Sequence, residues 1–358
     1  MAMFPSAARH SVGRASARRP HPHRNGRFTM PTAAAPVRPL HSHAAAELIT
    51  AAHDLLTAHD GTATHPDLLA RVPAVAASLG DEIRTACRPV DTPDGLFVLR
   101  GLPLDDTAIG PTPAHWSSAG DAGAVYDVVL LLLSTVMGTP LAWEGQQDGR
   151  FVHNIVPSPG HEDEQTGASS SVLLSPHTED AFHPARAHLL VLGCLRNHDA
   201  VATTAASVRQ VQLAQEEVEL LSRPVLPILP DDAYAEAQSY AGDPPPVPTL
   251  WESPDGPTLR FDPAYTPLDQ ASEEHRAAYA RLQDELARVS VAVSLEPGDV
   301  LVVDNDLVVH GRVPFTARYD GTDRWLKRSS VRVPDRRTRP PAERSEHGYG
   351  QQAVEAYR

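Results

Sequence analysis

Cysteine is nearly absent. Cys87 and Cys194 are the two in 358 residues, far apart and outside any CxxC pattern. A disulfide framework and a thiolate zinc site are therefore disfavoured, and a reducing compartment, the cytoplasm, fits. Long apolar runs are missing too: the aliphatic stretch VVLLLL at 128–133 is far too short to cross a bilayer. Basic charge is in deficit, with 31 Lys and Arg against 45 Asp and Glu and a net charge of −14. That balance argues against nucleic acid or an anionic membrane as the main partner. There is no Gly-rich phosphate loop, no GxSxG elbow and no basic–aromatic face. What remains is ordinary globular composition, 41 % apolar and 21 % charged, enough for a sizeable core.

Charge is unevenly spread. Residues 1–29 hold six arginines and no acid. They lack the apolar segment of a secretory signal, although Arg- and Ser-rich composition also suits a transit peptide. We read residues 1–40 as a disordered basic extension, with Met30 as a candidate start. The domain expected at 41–333 opens with a helix over 41–58, whose Leu48, Ile49, Ala52, Leu55 and Leu56 share one face. A second helix is expected over 66–88, interrupted near Pro73, then a buried strand within 95–106 and a helix near 121–137. From 141 the pattern changes to short strands, among them 150–156, 170–174 and 187–195, with a helix at 211–222. The Pro- and Asp-rich insert at 223–257 reads equally as a lid or a surface loop. Ser272 caps an amphipathic helix over 272–290, and strands return at 291–295, in VLVVDN and LVVHGRV, and at 324–333. The polar tail 334–358 is expected to be loose. Helices framing many short strands predict a mostly β fold with flanking helices, an antiparallel double-sheet barrel.

Within SPHTEDAFHP (175–184), His177 and Glu179 are two apart, so on a strand both face one side. Alone, such a triplet is an ordinary acidic turn. His310, at the end of an apolar strand, offers a third ligand. Two His and one carboxylate with open positions suit non-haem Fe(II), and zinc accepts the same set, so the ligands leave the metal open. Arg324, Leu326 and Arg328 alternate on a strand, and inward guanidiniums there would need anions such as small-molecule carboxylates. An outward cationic stripe is the plain alternative. His53, His59, His183 and His188 read as surface or framing residues, Asp304 and Asp306 as a corner turn, and Asp231 and Asp232 as either substrate contacts or a solvated loop.

Together these residues resemble the Fe(II)/2-oxoglutarate-dependent oxygenases, in the clavaminate synthase-like branch that includes arginine and asparagine hydroxylases of peptide-antibiotic biosynthesis. The resemblance spans Gly95 to Val333 and is carried by QQDGRFVHNIVP, HTEDAFHPARAHLLVLGCLRN and PGDVLVVDNDLVVHGRVPFTARYDGTDRWLKR. It implies a double-stranded β-helix (jelly-roll, cupin-like) core, with Fe(II) held by His177, Glu179 and His310. It further implies that Arg324 binds the distal carboxylate of 2-oxoglutarate, helped by Thr203 or Thr204. Arg328 would take the carboxylate of an amino-acid substrate, Gln146 would be a polar contact, and Ser169 and Ser170 would line the approach. The implied reaction consumes O2 and releases succinate and CO2.

In the arginine-hydroxylating relatives two aspartates at i and i+2 grip the guanidinium. Here Asp262 matches the first and Ala264 stands in place of the second. A second carboxylate would repel the carbonyl oxygen of a urea, while one can still accept its N–H groups. The expectation is therefore hydroxylation or desaturation at C3 or C4 of a free arginine-like amino acid, citrulline slightly ahead of arginine. Enduracididine, asparagine and lysine are alternatives. A zinc hydrolase on the same triad is the more distant reading, and a non-catalytic sensor on the same fold another.

Overall fold

The computed structural model describes residues 35–89, 92–234, 240, 242–333 and 335–354. Most of the expected basic extension, 1–34, lies outside the described residues. In chain order the strands are β1 (Val37–Pro39), β2 (Leu96–Arg100), β3 (Thr139–Leu141), β4 (Val152–Ile155), β5 (Leu174–His177), β6 (Leu189–Arg196), β7 (Thr203–Ser207), β8 (Leu250–Ser253), β9 (Gly256–Leu259), β10 (Val291–Val293), β11 (Val300–Asp304), β12 (Val308–Arg312) and β13 (Trp325–Arg332). The helices are α1 (Ser42–Thr57), α2 (Pro66–Ser78), α3 (Asp81–Ala86), α4 (Asp106–Ile109), α5 (Ala124–Met137), α6 (Gln215–Leu221) and α7 (Glu273–Val289).

Period-two alternation explains the layering. Phe97 and Leu99 of β2, Leu189 and Val191 of β6, and Val300 and Val302 of β11 pack with α1, α2, α3 and α5. Their neighbours Leu96, Val98, Leu190, Leu192, Leu301 and Val303 enter a second core, shared with β7, β12 and α7. The seven-stranded sheet is ordered β1-β2-β11-β6-β13-β3, with β4 also on β13. Its other face is thus covered by the four-stranded sheet, ordered β10-β7-β12-β5. Apart from the parallel β1–β2 pair, the pairings are antiparallel. This is the sheet-rich, helix-flanked arrangement that the alternation predicts. Ser272 caps α7, accepting from the His275 N–H at 3.2 Å.

Several expectations need correction. Residues 37–39, placed in the extension, are a strand paired with Val98–Arg100. Pro73 does not interrupt its helix, because buried Leu68, Val72 and Ala76 hold α2 on the core across it. The break comes at Leu79, which is extended (ψ 148°) ahead of Gly80. The strand expected at 170–174 starts only at Leu174, since the carbonyls of Ser170 and Val172 are taken by the Arg312 guanidinium. The insert 223–257 carries β8 and the start of β9 as a hairpin on its C-terminal side.

The largest correction concerns the tail. Over 335–354 it is fixed by buried ion pairs: Arg336 and Arg337 reach Asp304 at 2.6 Å, Arg339 reaches Asp306 at 3.0 Å, and Glu343 meets Arg186 at 3.0 Å. Its charges looked solvated because their partners lie far away in sequence.

Candidate functional site

Strands β5 and β12 lie side by side, with His177 directly opposite His310. The register shifts just beyond His310, and a side chain at Gly311 would lie 2.4 Å from the Leu174 carbonyl oxygen, so glycine permits the approach. Glu179 lies past the end of β5, where the chain turns through Asp180 in the left-handed region (φ 52°). Asn305 clamps this turn: it accepts from the Glu179 N–H at 2.8 Å and donates to the Glu179 carbonyl at 3.0 Å. The corner DND thus positions a carboxylate that lies 126 residues earlier.

Among the described residues, His177, Glu179 and His310 form a convergent ligand group, with ligand atoms within 4.8 Å of one another. Glu179 Oε2 lies 3.3 Å from His310 Nε2 and 3.8 Å from His177 Nε2, and no hydrogen bond satisfies it. The Ser175 carbonyl accepts from His177 Nδ1 at 2.8 Å, which leaves Nε2 to face Glu179. Burial pushes His310 down to about 4, helped by the neighbouring His177. Burial also opposes charge on His177, but Glu179 and Asp262 outweigh it and pull its pKa up to about 9. Glu179 stays well below the usual carboxylate range although burial opposes it, because Arg328 and both imidazoles favour its charge. A divalent ion bound among these three groups would compete with protons for the imidazole nitrogens.

A cavity of about 410 Å³ opens over this trio. Arg324, Leu326 and Arg328 all line it, as strand alternation predicts. Arg324 donates to Thr203 Oγ1 at 2.9 Å and has no carboxylate partner among the described residues; burial lowers its pKa to about 10. Thr203, not Thr204, lines the cavity. Arg328 contacts Glu179 Oε1 and donates to His153 Nδ1 at 3.0 Å. Gln146 is buried and lines the cavity.

Other expected contacts fall elsewhere. Ser169 and Ser170 do not line the cavity; the Ser169 hydroxyl and the Ser170 carbonyl accept from Arg312 at 2.9 and 3.1 Å. Asp262 is buried and also off the lining, where its carboxylate accepts from the Ala264 N–H at 3.0 Å. Burial moves Asp262 up to about 6. Asp231 and Asp232 do line the cavity, and burial, reinforced by Asp180 and Glu179, pushes Asp231 up to about 7. Asp180 accepts from Trp143 Nε1 at 2.7 Å and from the Tyr234 hydroxyl at 2.5 Å, which ties the insert to the turn after Glu179.

Two residues beside the site, Arg312 on the cavity lining and His153 behind Arg328, escaped sequence reasoning. His153 faces Arg328 across the β4–β13 ladder, and burial, then Arg328, holds it neutral, down at about 3. Arg312 stands two residues after His310, a spacing that would have placed it on the ligand face.

Comparison with known proteins gives matching results. The family model described as taurine catabolism dioxygenase TauD, TfdA family, matches residues 234–330. The chain is 39 % identical over 264 residues to an enduracididine beta-hydroxylase of Streptomyces hygroscopicus, covering 66 % of this chain and 76 % of that one. A solved structure of the non-heme iron oxygenase OrfP with Fe and alpha-ketoglutaric acid aligns with TM-score 0.73 at 38 % identity, covering 83 % of this chain and 94 % of that one. OrfP with Fe, succinate and (3S)-hydroxy-L-Arg aligns with TM-score 0.75 at 37 % identity, with the same coverage.

Proposed function

The chain belongs to the TauD/TfdA dioxygenase family, and from that premise we propose that it hydroxylates C3 or C4 of a free L-amino acid with an arginine-like side chain. The observation that carries this reading is the pairing of one convergent His2Glu group with an unpaired buried guanidinium, Arg324, in the same cavity. A zinc hydrolase has no use for that guanidinium. We read the two facing sheets as a double-stranded β-helix, or jelly-roll, with the ligands at its open end.

The residues present fit a bound Fe(II): Glu179 Oε2 is buried without a hydrogen bond, and His177 turns Nε2 towards it. Bound iron supplies activation of O2 coupled to breakdown of 2-oxoglutarate into succinate and CO2. Every other task belongs to the chain. Arg324 and the Thr203 hydroxyl bind the distal carboxylate of 2-oxoglutarate. Arg328 meets the α-carboxylate of the amino acid while its contact with Glu179 keeps that ligand oriented. Gln146 supplies a polar contact. The loop 158–168 and the insert around Asp231 exclude water, with Tyr234 on Asp180 fixing the insert.

The side-chain end of the substrate faces acids. With Ala264 in place of a second carboxylate, and Asp262 engaged by the Ala264 N–H, a guanidinium is offered less charge than a pair would give. Asp231, raised to about 7, can donate its proton to a urea carbonyl at neutral pH. These points favour citrulline ahead of arginine, with enduracididine, lysine and asparagine following. We place the reaction in the cytoplasm, in specialised-metabolite biosynthesis. Cys87 and Cys194 are free and buried, and among the described residues no helix is long and apolar enough to cross a membrane.

The test is anaerobic addition of 2-oxoglutarate to the Fe(II)-loaded enzyme, followed by a succinate-release screen across free amino acids. A weak visible absorption band and amino-acid-dependent succinate are expected. No band and background succinate with every amino acid would refute the reading, and a strong preference for arginine over citrulline would refute its finer part.

A further inference from the structure

Arg312 is 3 % exposed and has no carboxylate partner among the described residues. It lines the cavity, two residues beyond His310 on the same strand. In the β7–β12 ladder it lies directly opposite Thr203, whose hydroxyl holds Arg324. Residues opposite one another in a ladder project to the same face, so two uncompensated guanidiniums converge beside one hydroxyl. The other end of the Arg312 fork reaches away from the cavity. Nη2 donates to Ser169 Oγ at 2.9 Å and Nη1 to the Ser170 carbonyl at 3.1 Å. Those acceptors end the loop 158–171, whose Gln165, Thr166, Gly167 and Ala168 form one wall of the cavity. Nε of Arg312 is left without a hydrogen bond.

We infer that Arg312 is a positioning residue that adds a second positive charge for the distal carboxylate of 2-oxoglutarate and couples its binding to the ordering of the 158–171 wall. This rests on the function proposed above. An anion held by Arg324 offsets the repulsion between the two facing guanidiniums, so the Arg312 fork settles in one position and holds the Ser169 and Ser170 acceptors more firmly. The wall then closes once the co-substrate is in place, so the amino acid meets a finished cavity. Lysine at 312 would keep the charge and lose the fork; glutamine would lose both.

Two measurements on the anaerobic Fe(II) enzyme separate these contributions: the Kd of 2-oxoglutarate, and amide hydrogen exchange across 158–171 with and without it. In the wild-type enzyme 2-oxoglutarate should slow exchange in that segment. Arg312→Gln should weaken 2-oxoglutarate on the order of tenfold and abolish the slowing. Arg312→Lys should hold Kd within about threefold and still abolish the slowing. Should Arg312→Gln fail to fold, Ser169→Ala takes its place: it cuts one tether without touching the charge, so the slowing should shrink while Kd is unchanged. Unaltered Kd and unaltered slowing in Arg312→Gln would overturn the inference and leave the proposed function standing. A lysine variant as weak as the glutamine one would overturn the charge role. A wild-type enzyme that binds no 2-oxoglutarate would overturn both readings.

Discussion

Replacing Glu343 by alanine tests whether the C-terminal segment is part of the metal-site scaffold. Arg186 is wholly buried and donates to Glu343 at 3.0 and 3.3 Å. Arg260, 1 % exposed, lies 3.5 Å from Glu343 and 2.9 Å from Glu346. Arg339 completes the group through Asp306 at 3.0 Å. Arg186, Arg260 and Arg339 are thus matched by Asp306, Glu343 and Glu346, and deleting Glu343 strands one positive charge. Breaking a buried pair from one side costs about 3–5 kcal/mol. With unfolding entropy of about 2.1 cal/mol/K per residue over roughly 300 ordered residues, that cost lowers Tm by roughly 5–8 °C. Calorimetry at a fixed scan rate reads the shift. The effect should reach the metal as well, since Arg260 Nε donates to the Ala181 carbonyl, two residues beyond Glu179. Fe(II) retention on a desalting column should therefore fall in parallel. A Tm change below about 2 °C, with iron retention intact, would refute the view that these charges are desolvated and mutually required.

Ala264→Asp restores the second carboxylate of the arginine-hydroxylating pattern, and should move the kcat/KM ratio of arginine to citrulline upward by about 10–100-fold, the worth of one charge-assisted hydrogen bond; paired kinetics on the two amino acids check it. Asp231, pushed up to about 7, must be ionised to attract a cation, so the KM for arginine should fall as pH rises through 7 while that for citrulline stays flat or rises. Chelation should abolish activity, Fe(II) should restore it, and Zn(II) should occupy the same His2Glu group without turnover. Turnover with zinc would revive the hydrolase reading.

How much of this was readable in advance follows the range of the interactions concerned. Period-two alternation is local, so it placed Arg324, Leu326 and Arg328 on one lining; His177 and Glu179 do converge, but Glu179 lies past the end of β5 and is brought there by Asn305, 126 residues away. The alternation separated the two faces of β2, β6 and β11 equally well. Ser169 and Ser170 look like free hydroxyls in sequence, and it is the ladder between β5 and β12, with Arg312 opposite Leu174, that brings Arg312 to the segment they belong to. The same holds for the tail: Arg336, Arg337 and Arg339 look solvated until Asp304 and Asp306, more than thirty positions away, are found beneath them. Charge pairing at such separation leaves no periodic signature. Pro73 misled for the opposite reason, because a local rule was overridden by burial of α2.

Buried cations in this chain differ in whether the fold supplies their anion. Lys327 meets Asp127 at 2.6 Å, and Arg186, Arg260 and Arg339 have their acids. Arg324 and Arg312 meet none among the described residues, and burial has driven both down to about 10. Desolvating an unmatched charge is unfavourable, so these two weaken the free enzyme for the sake of what binds there. The consequence is a variant whose stability and function move in opposite directions. Arg324→Gln removes an uncompensated charge and keeps a donor for Thr203, so the free enzyme should be as stable as wild type or slightly more so. The stabilisation by 2-oxoglutarate should vanish. At a hundredfold excess over Kd a ligand contributes about 2.7 kcal/mol, which at the same unfolding entropy is a rise of roughly 4 °C. Thermal scans of the anaerobic Fe(II) protein, with and without 2-oxoglutarate, decide it. If the variant loses several degrees unliganded, Arg324 is holding the fold together rather than waiting for an anion, and the reading of the cavity as a dicarboxylate site fails.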